Sequence, residues 1–245
     1  LSFGVSQLVW GPLSDRYGRR PILLWGMGAY VLASAACVLA PGMDLLIAAR
    51  IAQGAAMGAA VMCARAIVRD LYQPLEGARM MSKGLSGLGV IAITCAPLGS
   101  LLTDFIHWRA AMASLVVFGI VTLTLLALRF EETIPACNPR ALAPGTLWRS
   151  WVQIARHPTF ITYSLLSTAS YAGLFVFLAS SSFVLIEALG LSRVGYGALM
   201  ACNSVVYIIG TIACRRLLVR WGLRRTVFVA GCLSFSAGVL MLGLA

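Results

Sequence analysis

The sequence predicts an all-α protein that crosses a membrane many times, and three observations lead to that fold class. First, 60% of the 245 residues are hydrophobic and 11% are charged, against roughly 45–50% and about 25% in a soluble domain. A water-soluble chain of this size lacks the interior to hide so much apolar surface. Second, uncharged runs of about 20 residues, the length a helix needs to cross some 30 Å of hydrocarbon, recur along the chain. Third, the cations gather on alternate connections between those runs, as they do in helical membrane proteins of fixed orientation. No stretch alternates with period two, so a transmembrane barrel is not expected.

Taken in order, residues 1–14 read as the tail of one further span. Uncharged runs follow at 21–40, 84–103, 110–128, 159–186, 194–214 and 226–245, and 45–68 is a further span interrupted by Arg50 and Arg65. Eight helices are therefore expected. Residues 1–14 lack the basic start of a secretory leader. The sequence begins and stops inside apolar stretches, so a piece of a longer protein is expected.

Four connections carry Arg16, Arg19 and Arg20; Arg69, Arg79 and Lys83; Arg129, Arg140, Arg149 and Arg156; and Arg215, Arg216, Arg220, Arg224 and Arg225, together 15 of the 19 cations. The opposite connections hold Arg109 and Arg193. That asymmetry places the first set in the cytoplasm. It also accounts for the net charge of +11, so no nucleic-acid partner is expected. The one long connection, 129–158, holds four prolines and ends in "LWRSWVQIARHP". Trp148, Trp151 and Val152 beside Arg149 and Arg156 predict a short helix at the membrane surface. The segment divides the chain into 1–128, a linker at 129–158, and 159–245. Residues 217–224, "LLVRWGLR", echo residues 13–20, "LSDRYGRR", six helices later, with Val219 where Asp15 would stand. Such a parallel repeat of six-helix halves marks one large class of transporters.

Other classes are disfavoured. His107 and His157 fall on opposite membrane faces by this topology, and no HExxH, phosphate loop or intramembrane carboxylate pair occurs, so an enzyme is not expected. The seven cysteines form no CxxC pair, so neither a metal nor a redox cofactor is expected. Rings of like groups or a filter segment, which a channel would want, are not visible.

The costly residues stand out against this background. In "GPLSDRYGRRP", residues 11–21, Gly11 allows close helix approach and Gly18 permits a tight turn. Arg19 lies one helical turn from Asp15, and Asp70, at the end of the span 45–68, is the nearest acidic residue able to reach the arginines. Positive-inside anchoring explains Arg16 and Arg20 but leaves Asp15 without a reason. Arg50 sits about 20 residues, or some 30 Å of helix, from Asp70, and an arginine inside a span marks a functional site by default. Snorkelling or pairing with Asp44 is its plainer alternative. Gln53 and Met57 continue its face, whereas Gly54 and Gly58 suit packing. Pro97 removes a helix hydrogen bond and should bend its span near Gly99. Tyr163, Tyr171, Phe175, Phe177, Asn203 and Tyr207 offer aromatic surface with a few polar handles, fit for bulky amphipathic molecules.

"GPLSDRYGRRP" resembles the signature loop between the second and third helices of the major facilitator superfamily. "RIAQGAAMGAA" (50–60) resembles the fourth-helix motif of its proton-coupled members. "RAIVRDLY" (65–72), "HWRAAM" (107–112) and "SSSFVLIEALGLSRVGYG" resemble the Bcr/CflA-type drug-efflux branch. The resemblance implies two six-helix halves, truncated here at both ends to helices two to nine of twelve. It implies an Asp15–Arg19–Asp70 charge cluster, with Gly11 and Gly18, that latches the cytoplasmic side in the outward-facing state. It implies that Arg50, with Gln53, couples to a first-helix carboxylate, and that Met57, Tyr171, Phe175, Asn203 and Tyr207 line the substrate cavity. Gly84, Gly87, Gly89, Pro97 and Gly99 resemble the antiporter motif, although Pro97–Leu98–Gly99 has one intervening residue where the family usually has two. The implied function is drug export in exchange for protons by a monomer in the inner membrane of a bacterium, driven by the proton gradient without a cofactor. Proton-linked transport of an ordinary metabolite remains the alternative.

Overall fold

The computed structural model describes residues 1–244 except 135, 140 and 189; it also leaves out the side chains at 75, 96, 97, 100, 104, 144, 146, 188, 193, 194, 223, 241, 242 and 244. Every regular element in it is helical: α1 (Ser2–Tyr17), α2 (Arg19–Leu39), α3 (Met43–Leu71), α4 (Pro74–Phe105), α5 (Trp108–Arg129), α6 (Pro144–Ala155), α7 (Pro158–Ser182) with a π-helical turn at Phe183–Ala188, and α8 (Arg193–Leu244). Among the described residues, α2, α3, α5, Pro158–Glu187 and Gly195–Gly222 are long and apolar enough to cross a membrane.

Local chemistry sets the breaks. Gly18 separates α1 from α2 with φ 100° and ψ 162°, a conformation essentially confined to glycine. Pro74 opens α4 and Pro158 opens α7, where the missing N–H costs nothing. The sequence separates spans at 194–214 and 226–245, but the arginine-rich connection between them is itself helical and only Gly222 interrupts it, with φ 73° and ψ 175°. The sequence echo is therefore also a backbone echo: Gly18 and Gly222 hold the same kind of break. The side chains differ, since Val219 and Leu223 stand where the first copy has Asp15 and Arg19. α3 and α4 run further than the spans read from the sequence at 45–68 and 84–103. Charged residues at a helix end snorkel into the interface without ending the helix.

The chain divides into two compact units, residues 1–81 with 98–150, and residues 82–97 with 151–245. In the first, α2 is central and packs on α3, α5 and α1. Ile22, Leu23, Ala59 and Cys63 are buried together, with Trp10, Leu13 and Leu126 against them, and Met27, Tyr30 and Ala56 form a second cluster. Small residues permit this closeness. A side chain on Gly26 would meet Ala59, and one on Gly58 would meet Ser6 of α1. This is the packing that lipid-embedded helices use when the hydrophobic effect does not distinguish neighbour from solvent. Large residues such as Leu32, Leu39, Val117 and Leu128 point outward, where lipid would cover them.

In the second unit the middle of α4 lies against α8. The Ser86 and Thr211 hydroxyls are 2.9 Å apart, and the Ser82 hydroxyl donates to the Thr211 carbonyl at 3.3 Å. Gly89 provides the gap, because a Cβ there would crowd Ile208 and Tyr207. Gly84, Gly87 and Gly99 face open space. α4 stays helical through positions 97–99; the Pro97 side chain lies outside the described residues.

Candidate functional site

The loop at the α1–α2 break gathers the charges. α1 places Asp15 in its last turn, where the helix dipole disfavours a carboxylate, and α2 opens with Arg19 and Arg20, where the dipole disfavours cations. Each mismatch is answered by a partner. The Arg19 side chain is 1% exposed. Its Nη1 donates to Asp15 Oδ1 at 2.7 Å and to Ser14 Oγ at 2.5 Å, and its Nε donates to Asp70 Oδ2 at 3.0 Å. Arg69 Nε lies 3.7 Å from the other Asp70 oxygen. The three charged residues singled out in the sequence thus meet at one guanidinium. Asp70 is held closely, at 12% exposed, while Asp15 keeps 41% of its side chain in solvent.

Gly11 and Gly18 serve this cluster differently. Gly11 is buried, and a Cβ there would sit 3.1 Å from Met62 of α3, so it lets α1 approach. It also supplies the carbonyl that takes the Ser14 hydroxyl at 2.8 Å, leaving the hydroxyl oxygen to receive Arg19. At Gly18 a side chain would run into the Glu132 carboxylate.

Glu132 is the residue that sequence reasoning missed. Its Oε1 accepts from the backbone N–H groups of Arg19 at 2.9 Å, Thr133 at 3.0 Å and Ile134 at 3.1 Å, and its Oε2 accepts from Arg20 N–H at 3.0 Å. It caps the N-terminus of α2, satisfying donors that no helical carbonyl can reach. Burial pushes the Glu132 carboxyl up, but the four N–H groups outweigh it and hold the group below the ordinary carboxylate value. Arg20 Nη2 donates to the Ala127 carbonyl at the end of α5 at 3.0 Å, and Asn138 N–H donates to the Asp15 carbonyl at 2.9 Å. The only signal in the sequence was Glu131–Glu132 standing alone beside Arg129.

Arg50 begins a second polar chain. Its Nη1 donates to Gln53 Oε1 at 2.8 Å, Gln53 Nε2 donates to Ser34 Oγ of α2 at 2.7 Å, and the Ser34 hydroxyl donates to the Tyr30 carbonyl at 2.7 Å. Arg50 Nη2 also meets Met112 Sδ of α5 at 2.7 Å. Among the described residues no carboxylate, Asp44 included, lies within ion-pair distance of Arg50. Gln53 is 7% exposed and so faces α2, whereas Met57 on the same helix is 36% exposed. Ser34 and Met112 carried no sequence signal, since serine and methionine are ordinary in a span.

Tyr171 and Phe175 on α7, and Asn203 and Tyr207 on α8, are exposed within the second unit. Arg65 lines an open cleft of about 580 Å³ with Arg69, Asp70 and Glu76 at the α3–α4 turn. Among the described residues no cluster of metal-ligating side chains occurs.

The helices and this charged break define a polytopic α-helical membrane protein of the transporter class. The chain belongs to the Major Facilitator Superfamily, whose model matches residues 1–245, a family of transporters rather than enzymes. It is 34% identical over 192 residues to the Multidrug resistance protein D of Escherichia coli (strain K12), a match covering 78% of this chain and 48% of that protein. It is 25% identical over 243 residues to the Bicyclomycin resistance protein homolog of Haemophilus influenzae, covering 99% of this chain and 60% of that protein. The kinship thus extends to Bcr/CflA-type drug-resistance proteins, and the chain spans about half the length of the curated relatives it matches. The human organic anion transporter MFSD10 (TETRAN) shares the fold with a TM-score of 0.62 at 20% identity, covering 96% of this chain and 64% of that one.

Proposed function

We propose that this chain is part of a secondary transporter that exports drugs or other amphipathic small molecules in exchange for protons. The two halves rock about the bilayer midplane in this reading, the protein works as a monomer in the inner membrane of a bacterium, and the proton gradient replaces any cofactor. The observation that carries it is the buried Arg19 held by Asp15 and Asp70 at the α1–α2 break. A fully desolvated guanidinium at a membrane border is expensive unless matched, and a matched cluster that can be undone suits a latch between access states. The drug-resistance proteins among the relatives support amphipathic substrates over ordinary metabolites. Arg50 and Gln53 form the coupling element, Pro97 and Gly99 the bend of α4, and Met57, Tyr171, Phe175, Asn203 and Tyr207 surfaces that meet substrate.

The test uses the full-length protein that contains this chain, expressed in a drug-sensitive bacterial host. Raised resistance to amphipathic compounds, together with dye efflux that collapses when the proton gradient is dissipated, is expected. Unchanged resistance across a broad panel and no gradient-dependent efflux would reject drug export. Gradient-dependent uptake or release of a metabolite in its place would establish the alternative.

A further inference from the structure

We propose that α6 is an anchor for anionic lipid, its apolar face lying in the bilayer interface while Arg149 and Arg156 engage lipid phosphates. The helix segregates cleanly. At about 100° per residue, Leu147, Trp148, Trp151, Val152 and Ile154 share one side and Ser150 and Gln153 the other. Trp148 is 67% exposed, Trp151 39% and Ile154 48%. Among the described residues no other helix packs along α6; Leu147 and Val152 are half-buried, and the two tryptophans and Ile154 stay open.

The tether decides what covers it. α6 ends at Ala155 and α7, a membrane-length span, begins at Pro158. The two intervening residues reach about 7 Å at most. They are drawn in further, because Arg156 N–H donates to the Val152 carbonyl and His157 N–H to the Ile154 carbonyl, both at 3.0 Å. An apolar face held this close to the start of a span has the bilayer edge as its nearest apolar phase. Tryptophans suit that edge, with an apolar ring and one polar N–H.

Charge selects the kind of lipid. Arg149 and Arg156 lie seven residues apart, two turns along one flank of the helix, and both are exposed. No acidic residue occurs anywhere from 133 to 186, and among the described residues neither arginine has a carboxylate within ion-pair distance. A surface of anionic headgroups supplies the missing charge, and such attraction is felt only within about a Debye length, roughly 8–10 Å. The tether keeps Arg156 inside that distance, and Arg149 joins it when α6 lies flat in the interface.

This inference rests on the membrane fold and not on the transported substrate. The experiment places the full-length protein in nanodiscs of pure phosphatidylcholine and of phosphatidylcholine with phosphatidylglycerol, and follows hydrogen exchange at residues 147–156. Exchange about tenfold slower in the anionic discs is expected. The paired change Arg149→Gln and Arg156→Gln should abolish that difference while leaving peptides from α2 and α3 unchanged, and Trp148→Ala with Trp151→Ala should raise exchange in both discs. Equal exchange in the two lipids, an anionic effect that survives the paired arginine change, or protection gained only on adding a soluble protein fraction would overturn the proposal.

Discussion

The carboxylate of Glu132 takes the backbone N–H of Arg19 at 2.9 Å, while the guanidinium of the same arginine turns away to Asp15 and Asp70. One residue is thus gripped from both ends. Its backbone is fixed by the segment after α5, and its side chain by the ends of α1 and α3. Anything that shifts α5 or α3 against the α1–α2 break must disturb one grip or the other.

Removing the arginine should be the most damaging change at this site. Arg19→Met leaves Asp70, 12% exposed, with the more distant Arg69 as its cation among the described residues. Stripping one partner from a buried pair costs about 3–5 kcal/mol. Asp70→Asn should destabilise more than Asp15→Asn, whose carboxylate is 41% exposed and whose pairing is worth about 1 kcal/mol or less. Thermal unfolding in detergent should rank the three in that order. Transport assays on Asp15→Asn then isolate the latch: lost activity in a well-inserted protein is expected, and full activity would reduce the turn to a topological anchor.

Glu132 should make stability depend on acid. Its folded carboxyl titrates below the ordinary carboxylate value, so the unfolded state binds the proton first as pH falls. The stabilisation is complete above the ordinary value and is lost as pH drops through the lower folded value. The difference in melting temperature between the native protein and Glu132→Gln should therefore be larger at neutral pH and shrink on acidification below the ordinary carboxylate range. A difference that does not change with pH would show that the cap works through shape and not charge.

Gly18 and Gly222 share a backbone conformation but not a neighbourhood. Either glycine changed to alanine meets the strain of a positive φ, about 1–3 kcal/mol. At Gly18 the new methyl group also displaces the Glu132 carboxylate, whereas at Gly222 it enters open space. Gly18→Ala should thus lower the melting temperature more than Gly222→Ala and should weaken the acid dependence that Glu132 supplies. Equal losses would mean that the cap contributes little.

The Arg50–Gln53–Ser34 chain should respond to loss of its middle member. Gln53→Leu leaves the buried Ser34 without its donor and Arg50 without its acceptor, at about 1–3 kcal/mol. Ser34→Ala should cost about 1 kcal/mol and leave Gln53 one bond short. If Arg50 couples transport to protons, Gln53→Leu should shift the pH profile of efflux as well as lower stability, while Ser34→Ala should change stability alone. An unshifted profile in Gln53→Leu would confine the chain to packing.

Hydropathy and charge placement determined much about this protein, because the bilayer acts on each segment separately. A run of about 20 apolar residues must be a helix wherever it sits, and basic connections choose a side without reference to any contact. The breaks at Gly18 and Gly222, the amphipathic pattern of α6 and the pairing of Asp15 with Arg19 one turn away are likewise local and can be read from spacing. Tertiary structure decided what spacing cannot reach. Glu132 lies 113 residues from Arg19 and becomes its cap only because α5 returns along α2. Gln53 finds Ser34 because α3 packs face to face with α2, and Gly89 finds its use where α4 meets α8. Those choices belong to packing between segments distant in the chain, where close approach of small residues selects which polar groups meet.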